Sequence, residues 1–237
     1  MTEHTMRAYD DDLKDLRTIV SRMGGMAEDQ LVAAMEALRE TNVEKAHKVR
    51  VADQTLDQME LQAERAAITL FALRAPVADD LRVVVAALKM TSLIERMGDY
   101  AKNIAKRTLA IAESDPVPMP ATLDRMAAEA RVMIREVMDS YVHNDANAAM
   151  DVWERDENLD NMHNAAYRQI LARMMEAPDQ INALTHYLMI AKNLERIGDQ
   201  ATNVAEQVYY AITGTLLEDA RPKNDETSTT VLDESDD

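Results

Sequence analysis

Apolar residues recur at three- and four-residue spacing over long stretches of this 237-residue chain. Met90, Leu93, Met97, Ala101 and Ile104 share one side of a helix, and Leu194, Ile197, Ala201, Val204 and Val208 repeat the pattern further on. Breakers separate such stretches. Pro76 and Pro178 each stand between two helix-period segments, and Ser114-Asp115-Pro116-Val117-Pro118-Met119-Pro120 is a strong loop signal near the middle. The pattern predicts helices over roughly 5–40, 43–74, 78–113, 121–143, 145–176 and 179–214. The Gly24-Gly25 pair should loosen the first of these, at about 1 kcal/mol per Gly relative to Ala. The longest wholly apolar run, Val83–Leu88, is too short to span a bilayer.

Composition agrees. With 5 Gly, 6 Pro and 36 Ala, the chain is rich in helix formers and too poor in turn residues for a sandwich or barrel. The expected class is all-α. With no Cys there is no disulfide framework, no thiolate metal site and no cysteine nucleophile, which suits a reducing cytoplasm. The first twelve residues are polar and acidic, unlike a secretory leader. Net charge is −17, the wrong sign for gripping phosphate backbones, so nucleic acid is not an expected partner, whereas cations and basic protein surfaces are. The stretch 218–237 holds acids, a Thr/Ser run and little to bury, and reads as a disordered acidic tail.

The two triplets of helices repeat each other. Leu93–Ala105 aligns with Asn193–Ala205 at offset 100, with seven of thirteen positions identical. Val49, Asp53, Leu56, Asp57 and Met59 recur as Val152, Asp156, Leu159, Asp160 and Met162, and Ala75-Pro76 recurs as Ala177-Pro178. An internal duplication of a three-helix unit accounts for this. The chain therefore divides into repeats over 1–115 and 116–217, followed by the tail at 218–237.

Each repeat carries two acid pairs at four-residue spacing: Asp53/Asp57 with Glu95/Asp99, and Asp156/Asp160 with Glu195/Asp199. Residues four apart point the same way on a helix. In the first repeat Glu60 and Glu64 extend the stripe; His163 and Tyr167 stand at the matching positions of the second. One reading is a solvated helix face. Against it, like charges at this spacing repel, the pairs recur in both halves, and four converging acids without matching bases need a cation. Oxygen-only ligands suit Mg, Mn, Fe or Ca, with zinc disfavoured by the lack of thiolates. The acids lie opposite the apolar stripe of their own helix, which predicts an exposed platform. Leu81, Val84 and Leu88, repeated as Ile181, Leu184 and Leu188, flank it as core or as a docking surface. Gly98 and Gly198 should mark close helix approach or ligand access, and Asn103 and Asn203 should either orient Asp99 and Asp199 or hydrogen-bond between helices. No phosphate loop or serine elbow is present, and no organic cofactor is expected.

The paired Glu-Arg-x-Gly-Asp-x-x-x-Asn strings, Glu95–Asn103 and Glu195–Asn203, resemble the signature of the PhoU family, and Arg74–Arg82 resembles that family's turn into the third helix. The resemblance implies two tandem three-helix bundles built from six long helices, with metal on the acid pairs. It further implies a cytoplasmic, dimeric, non-enzymatic negative regulator of phosphate uptake and phosphate-starvation signalling. Its partners would be a phosphate ABC transporter and a sensor histidine kinase at the inner membrane. The rival is a carboxylate-bridged metal oxidase or hydrolase, which would need a sheltered open metal position beside an acid or base.

Overall fold

Long apolar-periodic runs between breakers become long helices. The structure, a computed structural model, describes residues 2–74, 76, 78–217 and 224. It contains α1 (Thr2–Arg39), α2 (Val43–Arg74), α3 (Asp79–Ala112), α4 (Ala121–His143), α5 (Ala146–Glu154), α6 (Asp156–Glu176) and α7 (Ile181–Thr213), with a 3-10 turn at Pro178–Gln180. Among the described residues there is no strand, and no helix is long and apolar enough to cross a membrane.

The ends follow from local chemistry. Asn42 Oδ1 accepts from Lys45 N at 3.0 Å and caps α2. Asn144 closes α4 in the left-handed region, and Asp145 Oδ1 then accepts from the amides of Asn147 and Ala148 to start α5. Gly214, at φ 75°, ends α7. The fifth expected helix is divided at Arg155, whose N–H donates to Val152 O, three residues back, at 3.2 Å. That tighter turn changes the buried face from Val152 and Trp153 on α5 to Asp156, Leu159 and Asp160 on α6.

α1, α2 and α3 pack together, α4 to α6 pack on α7, and the halves meet through α3 against α7 and α1 against α4. The α3–α7 pair is antiparallel: Arg82 Nε donates to Ala211 O at 3.2 Å near one end, and Arg107 meets His186 near the other. Between them Arg196 lies over the Tyr100 ring, 5.8 Å from its centroid. Met97 and Ile197, both buried, therefore stand level, and an approximate two-fold axis passes between them.

Burial of Leu, Ile and Met side chains supplies the driving force, about 1.5–3 kcal/mol for each one fully buried. Met23, Met35, Met90 and Met126 are among the fully buried core residues, as expected for flexible gap-filling side chains. As the single helix expected over roughly 5–40 requires, α1 runs unbroken through Gly24-Gly25. A Cβ at Gly24 would stand 2.5 Å from Met138 Cγ, so that glycine admits α4. Glu28 on the same seam accepts from Arg131 and Arg135 at 2.8 and 2.6 Å.

Candidate carboxylate site

α3 is packed by α1, α2 and α7, so the side of α3 opposite its own apolar stripe lies along the seam with α2. There Asp53 of α2 is 2% exposed, Asp57 is exposed, and Glu95 and Asp99 of α3 are half-buried. The Glu95 carboxyl is pushed up to about 7, by burial first and then by Asp99, Glu60, Asp57 and Asp53. The structure thus brings the four first-half acids together and adds Glu60, itself raised by burial and by Glu64.

The expectation that no base matches these acids is corrected. Lys102 Nζ lies 2.5 Å from Asp53 Oδ2 and 2.6 Å from Asp99 Oδ1, bridging the two helices. Burial alone would lower the Lys102 ammonium, and its two carboxylate partners raise it above its ordinary value. Asp53 is still raised, because desolvation outweighs the lysine.

The second group sits between α6 and α7, and here the exposed-platform expectation fails. Asp156, Asp160 and Glu195 are 2%, 1% and 2% exposed, and Asp199 is half-buried. A wheel drawn on one helix cannot see its neighbours, and α7 is packed by α3, α4, α5 and α6. The Glu195 carboxyl is pushed up to about 7, by burial first and then by Asp199 and Asp160, against the pull of Lys192. Lys192 Nζ lies 2.9 Å from Glu195 Oε1, while Oε2 is buried and accepts no hydrogen bond. Asp156 Oδ1 accepts from Thr202 Oγ1 at 3.3 Å. Thr202 stands where the first repeat has Lys102, so a hydroxyl replaces an ammonium at the buried Asp of the second repeat.

Close approach, not ligand access, explains the two glycines. A Cβ at Gly98 would stand 2.4 Å from Leu56 Cδ2, and one at Gly198 would stand 2.2 Å from Leu159 Cδ2. The same Gly98 position is 2.7 Å from Gln30 Oε1 and 3.6 Å from Asp53 Oδ1, so the amide of Gln30 adjoins the first group. Gln30 is 5% exposed, and neither end of its amide is hydrogen-bonded. Sequence reasoning passed over Gln30; only the offset that matches it to the apolar Met133 distinguishes it. The flanking apolar patch divides: Val84 and Leu184 are core, whereas Leu81 and Ile181 are exposed.

The donor set is carboxylate oxygen, which fits a hard cation, as do the excess negative charge and the unbonded Glu195 Oε2. Among the described residues, no three carboxylate or imidazole groups are already arranged to hold a metal ion. A cation in the first group would have to displace Lys102 from its two carboxylates.

A family model described as the PhoU domain matches this chain twice, over residues 20–108 and 123–208. Proteins named as phosphate-specific transport system accessory protein PhoU homologs are similar throughout. The one from Caulobacter vibrioides is 44% identical over 226 residues, 95% of this chain and 98% of the relative. That from Zymomonas mobilis is 44% identical over 89% of each chain. The crystal structure of PhoU from Pseudomonas aeruginosa superposes with a TM-score of 0.83 at 31% identity, covering 87% of this chain and 100% of that one. The phosphate transport system regulatory protein PhoU from Streptococcus pneumoniae gives 0.82 at 27% identity, over 89% and 99%. Two matched copies on a duplicated helical body, with relatives alike over nearly their whole length, establish that the chain belongs to the PhoU family.

Proposed function

We propose that this chain is a phosphate-transport accessory protein that acts as a negative regulator of phosphate uptake and phosphate-starvation signalling. In this reading it is an adaptor between a phosphate ABC transporter and a sensor histidine kinase at the inner membrane. It works from the cytoplasm as a homodimer and catalyses no reaction itself. The names borne by its relatives support the transport role.

The observation that carries the mechanism is the gathering of carboxylates at each repeat's signature, where burial first and the neighbouring acids second push both Glu95 and Glu195 up to about 7. Asp53, Asp57, Glu95 and Asp99 would hold a hard cation (Mg, Mn, Fe or Ca) in the first repeat, and Asp156, Asp160, Glu195 and Asp199 in the second. When bound, the cation supplies positive charge that neutralises the acids and a site for a partner's oxygen ligands. The chain's own residues do the rest: exposed Asp57 presents the first group outward.

Two experiments test this. Elemental analysis of Asp57→Ala with Asp99→Ala should show metal lost from the first repeat and retained in the second; a parent protein that never carries metal refutes the cation. Deleting the protein should leave phosphate-starvation genes on in phosphate-rich medium, and a silent reporter refutes the regulatory role.

A further inference from the structure

Asn224, ten residues beyond Gly214, is held on α6 at all three of its polar groups. Its backbone N–H donates to Asp160 Oδ2 at 2.8 Å, its carbonyl accepts from Asn164 Nδ2 at 2.5 Å, and its Nδ2 donates to Asn161 Oδ1 at 2.9 Å. Three side chains within five residues of one helix thus read one residue's backbone and side chain together. Most of the expected tail, 218–237, lies outside the described residues, and Asn224 is the part that can be placed.

The reach is feasible. Asp160 acts on Glu195, whose pair-mate Asp199 is fourteen residues before the end of α7, about 21 Å at 1.5 Å per residue. Ten residues of chain span at most about 33–36 Å when extended, enough to return that far. The left-handed Gly214 ends the helix, where the chain can turn.

The surface belongs to the second repeat alone. At offset 103 the first repeat has Gln58 and Leu61 where the second has Asn161 and Asn164. Leu61 is 51% exposed, whereas Asn164 is 6% exposed and bonded to Asn224. The duplication has kept the acid, Asp57 and Asp160, and replaced the apolar Leu61 by the polar Asn164 in the repeat where Asn224 is held.

We propose that the Asp160–Asn161–Asn164 strip of α6 is a binding surface for the chain's own C-terminal extension, recognised through Asn224. This contact occupies Asp160 and guards the second carboxylate group. The guarding part rests on the cation reading given above; the docking part does not.

Hydrogen exchange on the full chain tests the docking. The amide of Asn224 should exchange at least about tenfold more slowly than a free peptide amide, because a paired N–H exchanges only on opening. Asn161→Ala with Asn164→Ala should abolish that protection. Free-peptide exchange in the parent overturns the docking, and protection that grows with protein concentration assigns Asn224 to a neighbouring copy and overturns the intramolecular contact. Mn²⁺ titration followed by paramagnetic broadening tests the guarding. Asn224→Pro removes the N–H that Asp160 accepts and lies outside every helix. It should tighten Mn²⁺ binding at the α6–α7 group at least threefold and leave the α2–α3 group unchanged. No change at either group overturns the guarding. Absence of Mn²⁺ binding at both groups overturns the cation reading and the guarding with it, while hydrogen exchange still decides the docking.

Discussion

Gln30 is a buried amide without partners in the first repeat, and its counterpart Met133 is a buried thioether against the other glycine. An unpaired buried polar group costs about 1–3 kcal/mol. Gln30→Met should therefore raise the urea-unfolding free energy by about 1 kcal/mol, after allowance for imperfect packing. If Gln30 adjoins the first group for a functional reason, the gain comes with weaker metal or partner binding. Gly98→Ala should cost about 1–3 kcal/mol by overpacking against Leu56. A cycle with Leu56→Ala checks the cause: the double variant should be less destabilised than the sum of the two single changes. The acid pairs were legible because charge and spacing repeat together. Lys102 was equally visible, three residues past Asp99, but its bond to Asp53 joins residues 49 apart and no local spacing encodes it. Gln30 was invisible, since a glutamine in a helical run reads as surface.

Helix boundaries were legible wherever Pro, Asn, Asp or Gly marks an end, and opaque where none does. Trp153-Glu154-Arg155-Asp156 contains no breaker, so the division between α5 and α6 follows from packing on α7, which draws Trp153 and then Asp156 inward. Gly24, by contrast, sits inside a helix, where its missing Cβ makes room for Met138 of α4. Arg82 serves the far end of another helix, because its Nε donates to Ala211 O in the last turn of α7. Arg82→Ala should fray that turn, with faster hydrogen exchange over residues 208–213 and a loss of about 0.5–1.5 kcal/mol. Unchanged exchange there would show that Gly214 alone suffices to end the helix.

At the scale of the whole molecule, the acids couple stability to pH. Glu195 titrates near 7 in the fold and near 4.5 when unfolded, so the folded state holds the proton more tightly. Its contribution is fully present below about pH 4.5 and is lost as pH rises through 7. In chelator, Glu195→Gln should match the parent at pH 4 and exceed its unfolding free energy by on the order of 2 kcal/mol at pH 8. A constant difference across that range would show that the acid is not buried in solution. The duplication was legible, as was the helical class; the meeting of the halves was not, because α3 and α7 each show only their own apolar stripe. Their antiparallel union has a further consequence. A single chain already contains the kind of self-complementary contact by which identical subunits pair, with Met97 and Ile197 on its axis. That surface is used up within one chain, which leaves the outward sides of the two repeats, each a different face, as the surfaces open to partners.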